Sequence, residues 1–178
     1  MSAHARQRLF FALWPDESTR DALAAIAKAA LGDASGRLVP PENLHLTLAF
    51  LGSVDETLRA CAERAAGRIS TPAFTLELVR AGRWPRARVL WTAPAETPEA
   101  LSQLALSLNE ALRDCGYSPE SRPFRAHVTL VRKTHGRSAE IAHAPVRWCV
   151  AEFHLMASQT NPHGARYQRL ATWRLCRQ

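Results

Sequence analysis

A chain of 178 residues, 47% hydrophobic and 22% charged, has the composition of a globular protein long enough to bury a core without staples. Its net charge of +7 favours a polyanionic partner such as RNA or a nucleotide. No apolar stretch reaches the ~18 residues of a membrane span, and the run from Leu9 to Trp14 is too short for a signal-peptide core, so a cytoplasmic protein is expected.

Arg8 to Leu13 reads as the first strand, apolar on both faces and therefore central in a sheet. Pro15-Asp16-Glu17-Ser18 opens a helix with acidic residues at the favourable end of its dipole. Leu23, Ile26, Ala27, Ala30 and Leu31 form its apolar stripe, and Gly32 ends it. Residues 33–43 read as a loop with room for a short strand at Arg37-Leu38-Val39. Leu44 to Leu51 is a strand closed by Gly52. Ser53 and Glu56 have capping-box spacing, which predicts a helix from about Val54 to Gly67. Phe74 to Leu78 alternates as a strand, Gly82 to Arg86 reads as a turn, and Val89 to Thr92 as the next strand. Thr97-Pro98-Glu99 caps and opens a third helix, with Leu101, Leu104, Ala105, Leu108 and Leu112 on its buried stripe and Gly116 as its stop. A loop from Tyr117 to Phe124 leads to three strands: Ala126 to Val131, one long run from Val146 to Met156, and Ala165 to Leu175. This order predicts an α+β fold with mostly antiparallel pairing.

Cys61, Cys115, Cys149 and Cys176 show no C-x-x-C pair and no zinc spacing, so four reduced, mostly buried thiols are expected. Of the 23 basic residues 21 are Arg, which is also what a G+C-rich coding sequence produces. The charge is therefore weak support for nucleic-acid binding.

One pattern recurs. His45-Leu46-Thr47-Leu48 returns 82 residues later as His127-Val128-Thr129-Leu130, each copy in an apolar run of strand character. In a strand, residues i and i+2 share a face. His45 and Thr47 therefore point one way, with Ala49, and Leu46, Leu48 and Phe50 form the packed side. Two half-domains would each offer an imidazole and a hydroxyl to a shared cleft. Two imidazoles facing one phosphorus allow one to accept a proton from water while the other gives one to the departing oxygen. The two hydroxyls can donate to non-bridging phosphate oxygens. Histidine is also a common metal ligand, but neither strand supplies a carboxylate or Cys at ligand spacing, and no metal or cofactor is expected. His4, His135, His143, His154 and His163 lack this context and default to surface or core roles.

The two motifs and their flanks, Asn43 to Gly52 and Phe124 to Arg132, together with Arg8 to Ala12, Ser158, Tyr167 and Leu170 to Leu175, resemble the two-histidine (2H) phosphoesterases, and within them the bacterial LigT-type RNA 2′,3′-cyclic phosphodiesterases. The resemblance spans almost the whole chain. It implies a single domain over 1–178, bilobal, with two mostly antiparallel sheets, flanking helices, a pseudo-two-fold axis and a cleft between the lobes. It implies hydrolysis of a 2′,3′-cyclic phosphate at an RNA 3′ end to a 2′-phosphomonoester, with 2′–5′ ligation as the reverse chemistry. By this analogy His45 is the proton donor and His127 the proton acceptor, although near-identical motifs do not assign the roles. Thr47, Thr129 and Arg132 would bind the phosphate. Strict alternation puts Arg132 on the face opposite His127, and only a bulge would re-aim it. Phe10 would offer a base a stacking surface, and Arg125 or the arginines of Arg80–Arg88 would meet RNA phosphates. The expected partner is RNA with a cyclic phosphate end, tRNA fragments included, and the expected state a monomer. A non-catalytic RNA-binding module and a phosphodiesterase for small cyclic nucleotides or 2′–5′ oligonucleotides stay open as alternatives.

Overall fold

In the computed structural model, which describes residues 6–32, 34–136, 140–161 and 164–176, the doubly apolar first strand is central, as its pattern requires. This strand, β1 (Gln7–Leu13), buries Leu9 to Leu13 between two antiparallel neighbours. The remaining elements are α1 (Glu17–Leu31), β2 (Arg37–Leu38), β3 (Leu46–Val54), α2 (Glu56–Ala66), β4 (Phe74–Trp84), β5 (Val89–Ala93), α3 (Glu99–Arg113), β6 (Val128–Arg132), β7 (Glu140–Val150), β8 (Glu152–Asn161) and β9 (Gly164–Arg174), with a 3-10 turn at Pro41–Asn43.

The strands run β7-β4-β5-β6-β3-β1-β8-β9, all antiparallel, with β2 also paired to β6. Only one residue pair, Leu46 with Val128, joins β3 to β6. These are the equivalent positions of the two His-x-Thr motifs. A pseudo-two-fold axis therefore passes through this rung, with four strands of the main path on each side and the two-residue β2 in addition. The expected two sheets are thus two halves touching at a single pair. The helices cross over: α1 leaves β1 of one lobe and packs behind β6 and β7 of the other, while α3 leaves β5 and packs on β3 and α2. One core, from Leu9 and Phe11 to Trp148 and Phe153, runs behind both lobes. At about 1.5–3 kcal/mol for each large side chain buried, this shared core is the main force holding the halves in register.

Local signals explain most boundaries. Asp16 caps α1 by accepting from the Thr19 amide at 2.8 Å, and Asp55 caps α2 by accepting from the Leu58 amide at 2.9 Å. Each such cap contributes about 1 kcal/mol. The α2 cap is thus Asp55 rather than the expected Ser53, because β3 continues through Gly52 to Val54. Thr97 does not cap α3, whose first turn has no side-chain cap. β4 runs on to Trp84, so the turn follows at 85–88.

Two expectations are corrected more deeply. The long strand from Val146 to Met156 is two strands on opposite lobes. Val146, Trp148 and Val150 are buried, then Phe153, Leu155 and Ala157. The alternation slips by one at Ala151, where the chain leaves β7 and enters β8 in the other lobe. The cysteines are not four reduced buried thiols either. Cys61 on α2 and Cys115 just beyond α3 form a disulfide, and Cys149 and Cys176 are free but exposed. Packing α2 against α3 brings together two residues 54 apart in sequence. Of the remaining histidines, His135 meets Arg88, His143 meets Thr92 and His154 is buried, while His4 and His163 lie outside the described residues.

Candidate active site

His45 and His127 stand immediately before β3 and β6, one residue outside each strand. Their rings are held alike. The Nδ1–H of His45 donates to the carbonyl of Asn43 at 2.7 Å, and that of His127 to the carbonyl of Arg125 at 2.8 Å. Each bond fixes the tautomer and leaves Nε2 as the nitrogen available to a ligand. Asn43 is tied in turn through its side-chain amide to the carbonyl of Ala165 at the start of β9.

A cavity of about 650 Å³ is lined by His45, Thr47, His127, Thr129 and Arg132 together. Arg132 reaches it because β6 bulges: Leu90 pairs with Val131 but Trp91 with Thr129, which leaves Leu130 extra and reverses the alternation. β3 bulges at the matching residue, Leu48, between the pairs Ala12–Thr47 and Phe11–Ala49. Ala49 consequently joins the core and Phe50 turns to the cleft side, 37% exposed, contrary to strict alternation. Phe50 and Arg132 are therefore equivalent positions of the two lobes, both facing the cleft.

The surroundings of the two imidazoles differ. Trp14 stacks flat on His45, with 5.0 Å between centroids and 3° between planes, and Phe10 and Tyr167 complete an aromatic wall at 5.1 and 5.2 Å. Trp84 meets His127 edge-on at 4.6 Å. Burial lowers the pKa of His45 to about 4; the Asn43 hydrogen bond opposes this, and the charges of Arg132 and His127 reinforce it. Burial also lowers that of His127, again opposed by its carbonyl bond and assisted by Arg132. Without a ligand, both rings are neutral near pH 7. On the His127 side Gly82 is required by packing: a Cβ there would lie 2.5 Å from Cζ2 of Trp91.

A second cavity of about 350 Å³ shares His45, Thr47, Arg132 and Tyr167 and continues to Arg8, Phe10, Phe50 and Ser158. Phe10 lies on the cleft side as expected and lines this cavity, but it is only 3% exposed, its ring packed against His45, Phe50 and Tyr167. The exposed ring is Phe50, with the Arg8 guanidinium 4.7 Å from its centroid. Arg125 is exposed and outside both linings, and serves His127 through its carbonyl. Among the described residues, Arg80–Arg88 also stays outside: Arg80 pairs with Glu140, and Arg83 and Arg88 bond His135.

The model of the 2'-5' RNA ligase superfamily matches residues 14–162. The chain belongs to this superfamily. The RNA 2',3'-cyclic phosphodiesterase of Escherichia coli K12 is 37% identical over 171 residues, covering 95% of this chain and 97% of that protein. The enzyme of the same name from Archaeoglobus fulgidus is 32% identical over 174 residues, covering 92% and 97%. The crystal structure of E. coli LigT complexed with 3'-AMP superposes with a TM-score of 0.86 at 36% identity, covering 96% of this chain and 98% of that one. The superfamily's two-histidine reading is thus the frame for the cleft. Trp14, Phe50, and Lys133 and Arg166, which also line the larger cavity, were not singled out from sequence as site residues. Phe50 and Arg132 needed the bulges, and the others needed the tertiary fold.

Proposed function

We propose that this protein is an RNA 2′,3′-cyclic phosphodiesterase, opening a cyclic phosphate at an RNA 3′ end to a 2′-phosphomonoester by two-histidine acid–base catalysis. The observation that carries the reading is the convergence of two imidazoles, each with Nδ1 tied back, and two threonines on one cavity. His127 Nε2 accepts a proton as water forms a bond to phosphorus. The bond from phosphorus to the 3′ oxygen breaks, and His45 gives that oxygen its proton. Thr47, Thr129 and Arg132 hold the non-bridging oxygens, where charge grows in the transition state. Phe50 stacks the terminal base. The Trp14 ring stacked flat on His45 supports this assignment of roles, because an indole face favours an imidazolium there by ~0.5–2 kcal/mol. Run backwards, the same transfers form a 2′–5′ linkage.

The described residues act as one domain of two lobes in this reading, a cytoplasmic monomer that takes RNA ends, tRNA fragments among them. No helix among the described residues is long and apolar enough to cross a membrane.

The test is a short RNA bearing a 2′,3′-cyclic phosphate, incubated in excess chelator with the wild type, His45→Ala and His127→Ala. The wild type should convert it to the 2′-phosphate and each variant should lose at least ~10²-fold. Activity that survives both substitutions, or that needs a divalent metal, overturns the mechanism. Binding without turnover by the wild type overturns the enzyme reading.

A further inference from the structure

The two cavities share His45, Thr47 and Arg132, while His127 and Thr129 line only the larger, and a terminal nucleoside accounts for only the smaller. That cavity, about 350 Å³, carries the exposed Phe50 ring and suits a single terminal nucleoside. The larger, about 650 Å³, extends away from Phe50 between the β2–β6 edge of one lobe and the start of β9 in the other. Its lining includes three cations, Arg37, Lys133 and Arg166, and one carboxylate, Glu42. Lys133 and Arg166 are both exposed and, among the described residues, the side chain of neither takes part in a hydrogen bond or an ion pair. Lys133 also follows Arg132 in a left-handed conformation, φ 56°, which is unfavourable for a residue with a Cβ. The next residue is anchored by the bond from the Thr134 amide to the Arg88 carbonyl, so the turn is imposed from outside.

We propose that the larger cavity is a subsite for the nucleotide on the 5′ side of the reacting end, with Lys133 and Arg166 pairing with the phosphodiester that joins it to the terminal nucleotide. This rests on the proposed function and names its substrate more narrowly: a cyclic phosphate at the end of a chain, selected over the free cyclic mononucleotide. With the cyclic phosphorus between the histidines and the base on Phe50, the 5′ oxygen of the terminal ribose leaves toward the larger cavity. The next phosphate then lies one ribose from the reacting one, inside the cavity that Lys133 and Arg166 line.

The experiment compares kcat/KM for adenosine 2′,3′-cyclic phosphate with that for the ApA dinucleotide ending in the same group, in the wild type and in a Lys133→Ala/Arg166→Ala variant. The wild type should prefer the dinucleotide, by about fivefold for each cation engaged, and the variant should bring the ratio toward one. The salt dependence of the dinucleotide reaction should become shallower in the variant. Equal kcat/KM for the two substrates in the wild type overturns the subsite. So does a loss in the variant shared equally by both, because the cations would then be serving the reacting phosphate. If the wild type opens neither substrate, the proposed function falls. The subsite is then judged by the Kd of 3′-phosphorylated ApA against 3′-AMP, where a ratio of one in the wild type overturns it and a preference abolished in the variant upholds it.

Discussion

An anion entering between the histidines should bring a proton with it. Burial holds His45 neutral in the free protein, with its pKa lowered to about 4, yet the proposed mechanism needs it as an acid. One negative charge about 4 Å from the ring, at an effective dielectric constant of about 20, contributes about 4 kcal/mol. That is about three pKa units, enough to carry His45 from about 4 into the neutral range, and the stacked Trp14 acts in the same direction. The sign is fixed. Between these limits the free ring is neutral and the bound ring charged, so affinity for the anion must rise as pH falls. Calorimetric titration with sulfate, whose charge is constant near pH 6, in buffers of different ionisation enthalpy, measures the protons taken up. Close to one proton is expected at about pH 6 in the wild type, with a smaller uptake in His45→Gln. Zero uptake in the wild type would refute the reasoning. So would an NMR titration in which His45 of the free protein titrates at the ordinary histidine value.

Three further outcomes follow from the packing. His154 is buried, 1% exposed, beside Thr172 and Glu152, and burial, with a smaller effect from Arg169, lowers its pKa to about 4. The half-exposed carboxylate of Glu152, 3.6 Å away, opposes this only weakly. The unfolded chain protonates this histidine below its model value of 6.5 while the native ring resists, so its contribution is present above that pH and lost toward about 4. Urea unfolding across the window should show His154→Gln losing up to about 1.4 kcal/mol per pH unit of the wild type's acid sensitivity. Gly82→Ala should cost about 1–3 kcal/mol, because Trp91 must shift away from the new methyl group. Through Trp84 it should also disturb His127, and denaturation paired with kcat checks both effects. Thr47→Val and Thr129→Val should each lower kcat by about 10²-fold with little change in stability, and a fall confined to KM would assign them to ground-state binding alone.

The repeat was the legible part of this chain. His-x-Thr twice, in strand-like runs, carried the cleft, the shared axis and four of the five side chains that meet there. The fifth, Arg132, depended on a bulge at Leu130, and neither Leu130 nor Leu48 bears a glycine or any local sign of one. A bulge is decided by how neighbouring strands twist and pack, which a single strand's alternation does not record. The division at Ala151 was hidden because both sides bury apolar residues in the same core, leaving only a one-residue slip of phase. The pairing of Cys61 with Cys115 depended on how two helices from different halves pack, and Trp14 reached His45 only once β1 and β3 were in register.

The lone rung between Leu46 and Val128 has a consequence for how a ligand chooses its direction. A molecule bound on a true dyad has two poses of equal energy, and an enzyme built that way would hold half its substrate backwards. Here the equivalent positions differ, phenyl at Phe50 and guanidinium at Arg132, and so do the rings over the histidines, indole flat on one and edge-on to the other. These few substitutions lift the degeneracy. Under the proposed function, a doubled framework becomes a one-way site with a nucleoside end and a phosphate end, and exchanging residues 50 and 132 would be the most direct attempt to turn it around.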